Sequence, residues 1–247
     1  MPAGGWAATA AVFEDAARHY QIARGAEPGD KSLETTVRTN GELVPLRGAV
    51  LLDAVRRSGI ELGDAHLLEA GCGFGALAAY FASHAVGSVV GTDVRADFIS
   101  RARRCAEMTD LCGSLEFVEA DIRDLDPFPD HRFDVVVAAG VLAYLDQERD
   151  LTVALQSFQR VLRPGGCVVV YQAHAWWPPV ALSRVLGRGR RRAHLRLSGP
   201  NAMRSALHAV GFERSRAIGL LRDRQLPSRL SACGSYYVAT ARAPGGR

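Results

Sequence analysis

The chain is expected to fold as an α/β protein on one doubly wound, mostly parallel sheet, and three observations carry that expectation. Short apolar runs alternate with helical stripes from His66 to Gln172, the pattern of strands joined by crossover helices. A glycine-rich turn, Gly71-Cys72-Gly73-Phe74-Gly75, follows the first of those runs, and the next run ends in an acid, Asp93. Phe133 to Ala139 is an almost continuous apolar run, as a strand buried on both faces requires.

Taken in order, Ala8 to Arg24 mixes Phe13, Ala17, Tyr20 and Ile22 with charge and reads as an amphipathic helix before the polar stretch Gly25 to Gly41. Leu46 to Ser58 gathers Leu51, Leu52 and Val55 on one face and stops at Gly59, as a helix should. His66 to Ala70 is the first strand, Ala76 to Ala85 the helix that leaves the glycine turn, and Ser88 to Thr92 the second strand. Ala96 to Met108 is helical, Leu115 to Glu119 is a short strand, and the proline-punctuated segment Leu125 to Arg132 leads into Phe133 to Ala139. Asp150 to Val161 carries a helical stripe that Pro164-Gly165-Gly166 terminates before the strand Cys167 to Gln172. Asn201 to Val210 is the last helix, and strands near Ala217 to Leu221 and Ser235 to Ala241 bring the sheet to seven. A polar turn without a helical stripe separates that final pair, which suits an antiparallel hairpin.

Asp93, at the end of the second strand, can accept two hydrogen bonds from a ribose diol, and the glycine turn aims the amide-rich start of a helix at whatever it cradles. A nucleoside ligand is implied. The glycines also fit the dinucleotide pattern G-x-G-x-x-G/A through Ala76, so a nicotinamide enzyme is one reading. Glu69, two residues before the first glycine, favours a cationic ligand over an anionic pyrophosphate.

The run Glu69-Ala70-Gly71-Cys72-Gly73-Phe74-Gly75, followed by Asp93, resembles the cofactor motifs of class I S-adenosylmethionine-dependent methyltransferases. Ala120-Asp121-Ile122, Phe133-Asp134-Val135-Val136 and Val161-Leu162-Arg163-Pro164-Gly165-Gly166 follow in the order and approximate spacing of that family. The resemblance covers roughly Leu46 to Tyr171 and implies a Rossmann-like methyltransferase fold whose sheet ends in an antiparallel hairpin. It implies S-adenosylmethionine as cofactor, held by Glu69, Gly71, Gly73, Gly75, Asp93, Val94, Asp121, Ile122 and Ala139. Asp121 would accept from the adenine amino group and the Ile122 amide would donate to a ring nitrogen. Residues 1–45 would form an N-terminal cap or lid, with Tyr20 or His19 facing the site. Residues 46–247 would form the cofactor-binding domain, with a substrate-side insertion at about 173–199.

Methyl transfer needs in-line placement, exclusion of water and sometimes a base. His174, just past the fifth strand, is the candidate base because imidazole titrates near neutrality, and Tyr144 stands where related enzymes often carry a histidine. Trp176 and Trp177, followed by two prolines, offer an aromatic wall for an acceptor. The arginine-rich run from Arg184 to Arg196 could dock an anionic group. The expected reaction is methylation of a small-molecule hydroxyl in secondary metabolism. RNA or lipid methylation and a catalytically silent scaffold that binds S-adenosylmethionine are the alternatives.

Composition narrows the partners. The 247 residues are 48% hydrophobic, enough for a large core. The formal charge is +4, yet Lys31 is the only lysine among 30 basic residues, a bias that reads as genomic composition, so a nucleic-acid partner is not expected. Five scattered cysteines form no C-x-x-C pair, and no metal or disulfide framework is expected. No leader and no transmembrane segment is read, which points to a soluble cytoplasmic protein. The oligomeric state is not legible.

Overall fold

The computed structural model describes residues 4–245 apart from 28–29, 32–33, 35–36, 38–40, 42, 85, 110, 112–114, 175–197, 222–223 and 226–234. In chain order the elements are α1 (Gly4–Ala23), α2 (Val44–Arg57), β1 (His66–Ala70), α3 (Ala76–Ser83), β2 (Ser88–Asp93), α4 (Ala96–Glu107) and β3 (Leu115–Glu119). There follow β4 (Phe133–Ala139), a 3-10 turn (Val141–Tyr144), α5 (Glu148–Val161), β5 (Leu162–Ala173), α6 (Pro200–Ala209), β6 (Glu213–Leu221), β7 (Arg224–Gln225) and β8 (Tyr236–Arg242). The strands form one sheet in the order β3-β2-β1-β4-β5-β8-β6-β7.

β1 to β5 pair in parallel, and β8 runs antiparallel between β5 and β6. This is the mostly parallel seven-stranded sheet with a closing antiparallel hairpin. It is extended by the two-residue β7, which pairs with β6 inside the segment read as a polar turn. β5 also starts five residues earlier than its apolar run. Leu162 already pairs with Phe133, and an irregularity absorbs the Pro164-Gly165-Gly166 turn before Cys167 resumes the ladder opposite Val135.

The period of two along each strand sorts side chains into two cores. Leu67, Val135, Val137, Cys167, Val169 and Tyr171 face one layer, under α2, α3 and α4. Leu68, Val136, Ala138, Val168 and Val170 face the other, under α5 and α6. α1 belongs to the first layer: its Phe13 is fully buried in that core. The alternation has a consequence for the site. Glu69 shares the face of Leu67, so a carboxylate is carried beneath α2 and α3, where it is only 3% exposed.

β1 pairs with β2 on one side and β4 on the other, which makes the carboxyl end of β1 the point where strand order reverses. Ligands bind in the crevice beyond such a point.

Candidate active site

The turn after β1 is built backwards, with all three glycines in the left-handed region: Gly71 at φ 76°, Gly73 at 57° and Gly75 at 84°. The Cys72 amide donates to the Thr92 carbonyl at 2.7 Å, and the Gly73 amide donates to Asp93 Oδ2 at 3.0 Å. The Arg95 amide donates to Asp93 Oδ1 at 3.0 Å. One carboxylate therefore ties the glycine turn to the end of β2. It is held in place before any ligand arrives, with lone pairs on both oxygens left over.

Beside this turn lies a cavity of about 1040 Å³. Glu69, Gly71, Gly73, Asp93, Val94, Ala139, Tyr144 and Tyr20 all line it, so eight of the residues singled out in the sequence converge on one site. Gly75 is buried behind them, where a Cβ would overlap the Phe117 ring. Tyr144 ends the 3-10 turn after β4 and is 72% exposed at the rim.

Burial decides the charge state of Glu69. Removal from water raises its pKa from 4.5 to about 8, with the Asp93 charge adding to the rise and the Ala78 amide and Arg47 opposing it. Its Oε2 is buried without a hydrogen-bond partner among the described residues. Between pH 4.5 and about 8 the folded, ligand-free chain holds a proton that the unfolded chain has released. Stability therefore falls as pH rises through that window and levels off above it. Glu69→Gln should remove this dependence: its thermal midpoint relative to the parent should climb by at least ~2–4 °C between pH 5 and pH 8. A constant difference in midpoint across that range would mean that Glu69 is ionised throughout.

Other expected residues stand elsewhere. Asp121 lies at the end of β3, next to Asp93, whose carbonyl accepts from the Ala120 amide at 3.1 Å. Its carboxylate is engaged by Arg123, which holds it below the usual carboxylate range. Ile122 is buried, its carbonyl accepting from Ser157 Oγ. Neither residue lines the cavity. His174, expected to face the site, is 2% exposed instead. Its ring meets Tyr237 edge-on at 6.0 Å, and burial pulls its pKa down. The reason is register: β5 runs through Ala173 opposite Tyr236, and the His174 amide continues the ladder to the Ser235 carbonyl. Among the described residues, no histidine lines the cavity. His19 is exposed on α1 and paired with Asp15. Trp176, Trp177 and the arginine run 184–196 lie outside the described residues.

Two features go beyond the sequence reading, which singles out only Tyr20 among their residues as facing the site. Arg47 lines the cavity from α2, its guanidinium 5.0 Å from the Tyr171 ring centroid and its buried Nε without a partner among the described residues. Nothing in the sequence separates it from the other arginines; only the docking of α2 on β5 does. The second is an aromatic wall in which Tyr20, Phe74 and Phe98 pack with centroids 4.7 to 5.4 Å apart. Arg24, Arg95 and Arg101 lie over the Tyr20 ring.

A Rossmann-like sheet with an acid-anchored glycine turn at its switch point marks a nucleoside-cofactor site, and the known proteins that this chain resembles are methyltransferases. A family model described as "Methyltransferase domain" matches residues 68–170, so over that stretch the chain is similar to S-adenosylmethionine-dependent methyltransferases. It is 33% identical over 106 residues to the probable methyltransferase ltbC of Aspergillus luteorubrus, covering 41% of this chain and 37% of that protein. It is 38% identical over 122 residues to the ubiquinone/menaquinone biosynthesis C-methyltransferase UbiE of Pseudomonas fluorescens Pf0-1, covering 48% and 45%. The chain thus spans less than half the length of these relatives. A Thermotoga maritima S-adenosylmethionine-dependent methyltransferase, described as a possible histamine N-methyltransferase, superposes with a TM-score of 0.61 at 15% identity, over 81% of this chain and 92% of that one. S-adenosylmethionine is the cofactor of the class. Among the described residues, no helix is long and apolar enough to cross a membrane.

Proposed function

We propose that the chain transfers a methyl group from S-adenosylmethionine to a hydroxyl of a small-molecule acceptor, in the cytoplasm and in secondary metabolism. One observation carries the cofactor half of the reading: a single cavity holds a buried carboxylate, Glu69, whose Oε2 has no partner among the described residues, and a guanidinium, Arg47, whose buried Nε has none. The amino-acid end of this cofactor is a zwitterion, so Glu69 suits its ammonium and Arg47 its carboxylate. Asp93 suits the ribose diol, Val94 the adenine face, and the backbone at Gly71, Gly73, Gly75 and Ala139 the close approach. Asp121 and Ile122 would serve the adenine edge only if Asp121 exchanges its Arg123 pairing. When bound, the cofactor supplies an electrophilic methyl on a positively charged sulfur.

The chain's own residues then have to orient an acceptor and keep water out. Tyr20, Phe74 and Phe98 supply an apolar wall, and Tyr144 presents a phenol to the acceptor from the rim. A cavity of about 1040 Å³ exceeds the ~300–1,000 Å³ typical of one ligand, leaving room for an acceptor beside the cofactor. We assign residues 1–45 as a cap and residues 46–247 as the cofactor-binding domain, with Trp176 and Trp177 in the acceptor-side insertion. His174 would act as base only if it became accessible from its buried position. Methylation at carbon is a second reading, favoured by relatives named as C-methyltransferases.

A turnover screen across phenols, sugars, lipids and RNA with 13C-methyl cofactor tests both readings. The expected result is S-adenosylhomocysteine release with a hydroxylated small molecule and a methyl resonance in the O-methyl region. A C-methyl resonance would select the second reading, and no release with any acceptor would leave a binding scaffold. Tyr144→Phe should lower kcat/KM for the true acceptor by about tenfold, one lost hydrogen bond, while cofactor affinity stays unchanged.

A further inference from the structure

A second cavity, of about 490 Å³, lies under the carboxyl-terminal half of α2 and shares no lining residue with the first. Its floor is the face of β5, β8 and β6 that carries Cys167, Val169 and Tyr171, and the strand register gives that floor a direction. Tyr171 pairs with Val238 and Val238 with Ile218, while Tyr236 pairs with Leu220, so the rows nearest the carboxyl end of β5 are apolar. Val169 pairs with Thr240 and Thr240 with Arg216, while Cys167 pairs with Arg242 and Arg242 with Glu213, which does not line the cavity, so the arginines of the lining sit on the rows toward the amino end of β5. The register slips between Glu213 and Arg216, and Arg214 takes φ 50° within that slip. A bulge of this kind re-aims side chains, and here both Arg214 and Arg216 line the cavity. α2 repeats the polarity from above, with Val50 and Ala54 before Arg57 and Ser58.

The basic end is short of anions. Four arginines, Arg57, Arg214, Arg216 and Arg242, line the cavity with one carboxylate, Asp53, and that one is bonded to Arg57 at 2.7 Å. Among the described residues, Arg242 Nη1 is buried with no hydrogen-bond partner. A buried guanidinium N–H left without an acceptor costs on the order of 1–3 kcal/mol or more. Folding has thus left a buried guanidinium nitrogen without an acceptor at one end of an apolar slot, which is the complement of an amphipathic anion.

We propose that this cavity binds an amphipathic anion, a carboxylate or phosphate monoester head on an apolar tail, with the head on Arg242 and Arg216 and the tail between Val50, Ile218 and Val238. The cavity is separate from the methyl-transfer site, whose residues gather at the carboxyl ends of β1, β2 and β4.

Calorimetry on the full chain, with probes kept below their micelle concentrations, tests this. Dodecanoate and dodecyl phosphate carry the two head chemistries, dodecanol lacks the charge, and inorganic phosphate lacks the tail. The expected result is one equivalent of at least one of the two anions bound per chain, with the tighter one naming the head. Dodecanol and inorganic phosphate should each bind at least about tenfold more weakly, and saturating S-adenosylhomocysteine should not compete. Arg242→Gln, and separately the exposed Arg216→Gln, should each weaken the anion by roughly tenfold or more, with the fold checked by circular dichroism. Failure of both anions to bind the folded parent, equal binding of dodecanol, displacement by S-adenosylhomocysteine, or unchanged affinity in folded Arg216→Gln would each overturn the proposal.

Discussion

Gly73→Val should abolish S-adenosylmethionine binding in a chain that still folds, whereas Gly75→Val should destabilise the fold itself. Both positions are left-handed, at φ 57° and 84°, so a β-branched residue is strained at either. What differs is the space around them. A Cβ at Gly73 meets no heavy atom within 4 Å, because it projects into the open cavity. A Cβ at Gly75 overlaps the Phe117 ring and comes within 3.1 Å of the Ala102 Cβ, inside a packed core. Overpacking and backbone strain together make Gly75→Val cost roughly 2–5 kcal/mol of stability. Chemical denaturation with calorimetry reads both quantities. If Gly73→Val binds the cofactor normally, the turn is not its cradle; if Gly75→Val is as stable as the parent, the packing argument fails.

Asp93→Ala should weaken cofactor binding by about 1.5–3 kcal/mol, or from tenfold to about 150-fold in Kd. The carboxylate does two things at once. It offers lone pairs to a diol, and it holds the Gly73 and Arg95 amides, each at 3.0 Å. Alanine therefore removes a ligand contact and also releases the turn that shapes the site. Asp93→Asn separates the parts, because its amide oxygen can serve only one of the two backbone donors while its NH2 group opposes the other. The asparagine variant should fall between parent and alanine. Calorimetric affinities equal to the parent in folded Asp93→Ala would falsify the ribose role.

Several features could be read without coordinates because they are local. The glycine turn, the acid after the second strand and the near-continuous apolar run at β4 each follow from backbone sterics or burial acting over a few residues. Family resemblance supplied the order of the motifs that follow. Element ends were read to within a few residues except at β5, where pairing with β4 overrode the expected stop at Pro164-Gly165-Gly166. Glu69 is the mixed case. Its position before the turn suggested a cationic ligand, but its raised pKa depends on α2 and α3 closing over the β1 face.

Contacts between distant segments had no such signal. Arg47 is an ordinary helical arginine until α2 packs across β5 and sets it over Tyr171. Tyr20 was expected at the site from the resemblance alone, but its packing on Phe74 and Phe98 depends on α1 docking on α4. His174 was placed at the site from its position after a strand. It is buried against Tyr237 because β8 inserts next to β5 and extends that ladder past Ala173. Local periodicity and turn chemistry act through nearest neighbours and are written in the residue order. Which side chains share a cavity, and which charges lose their water, depends on how separate segments pack, and that was decided only in the folded chain.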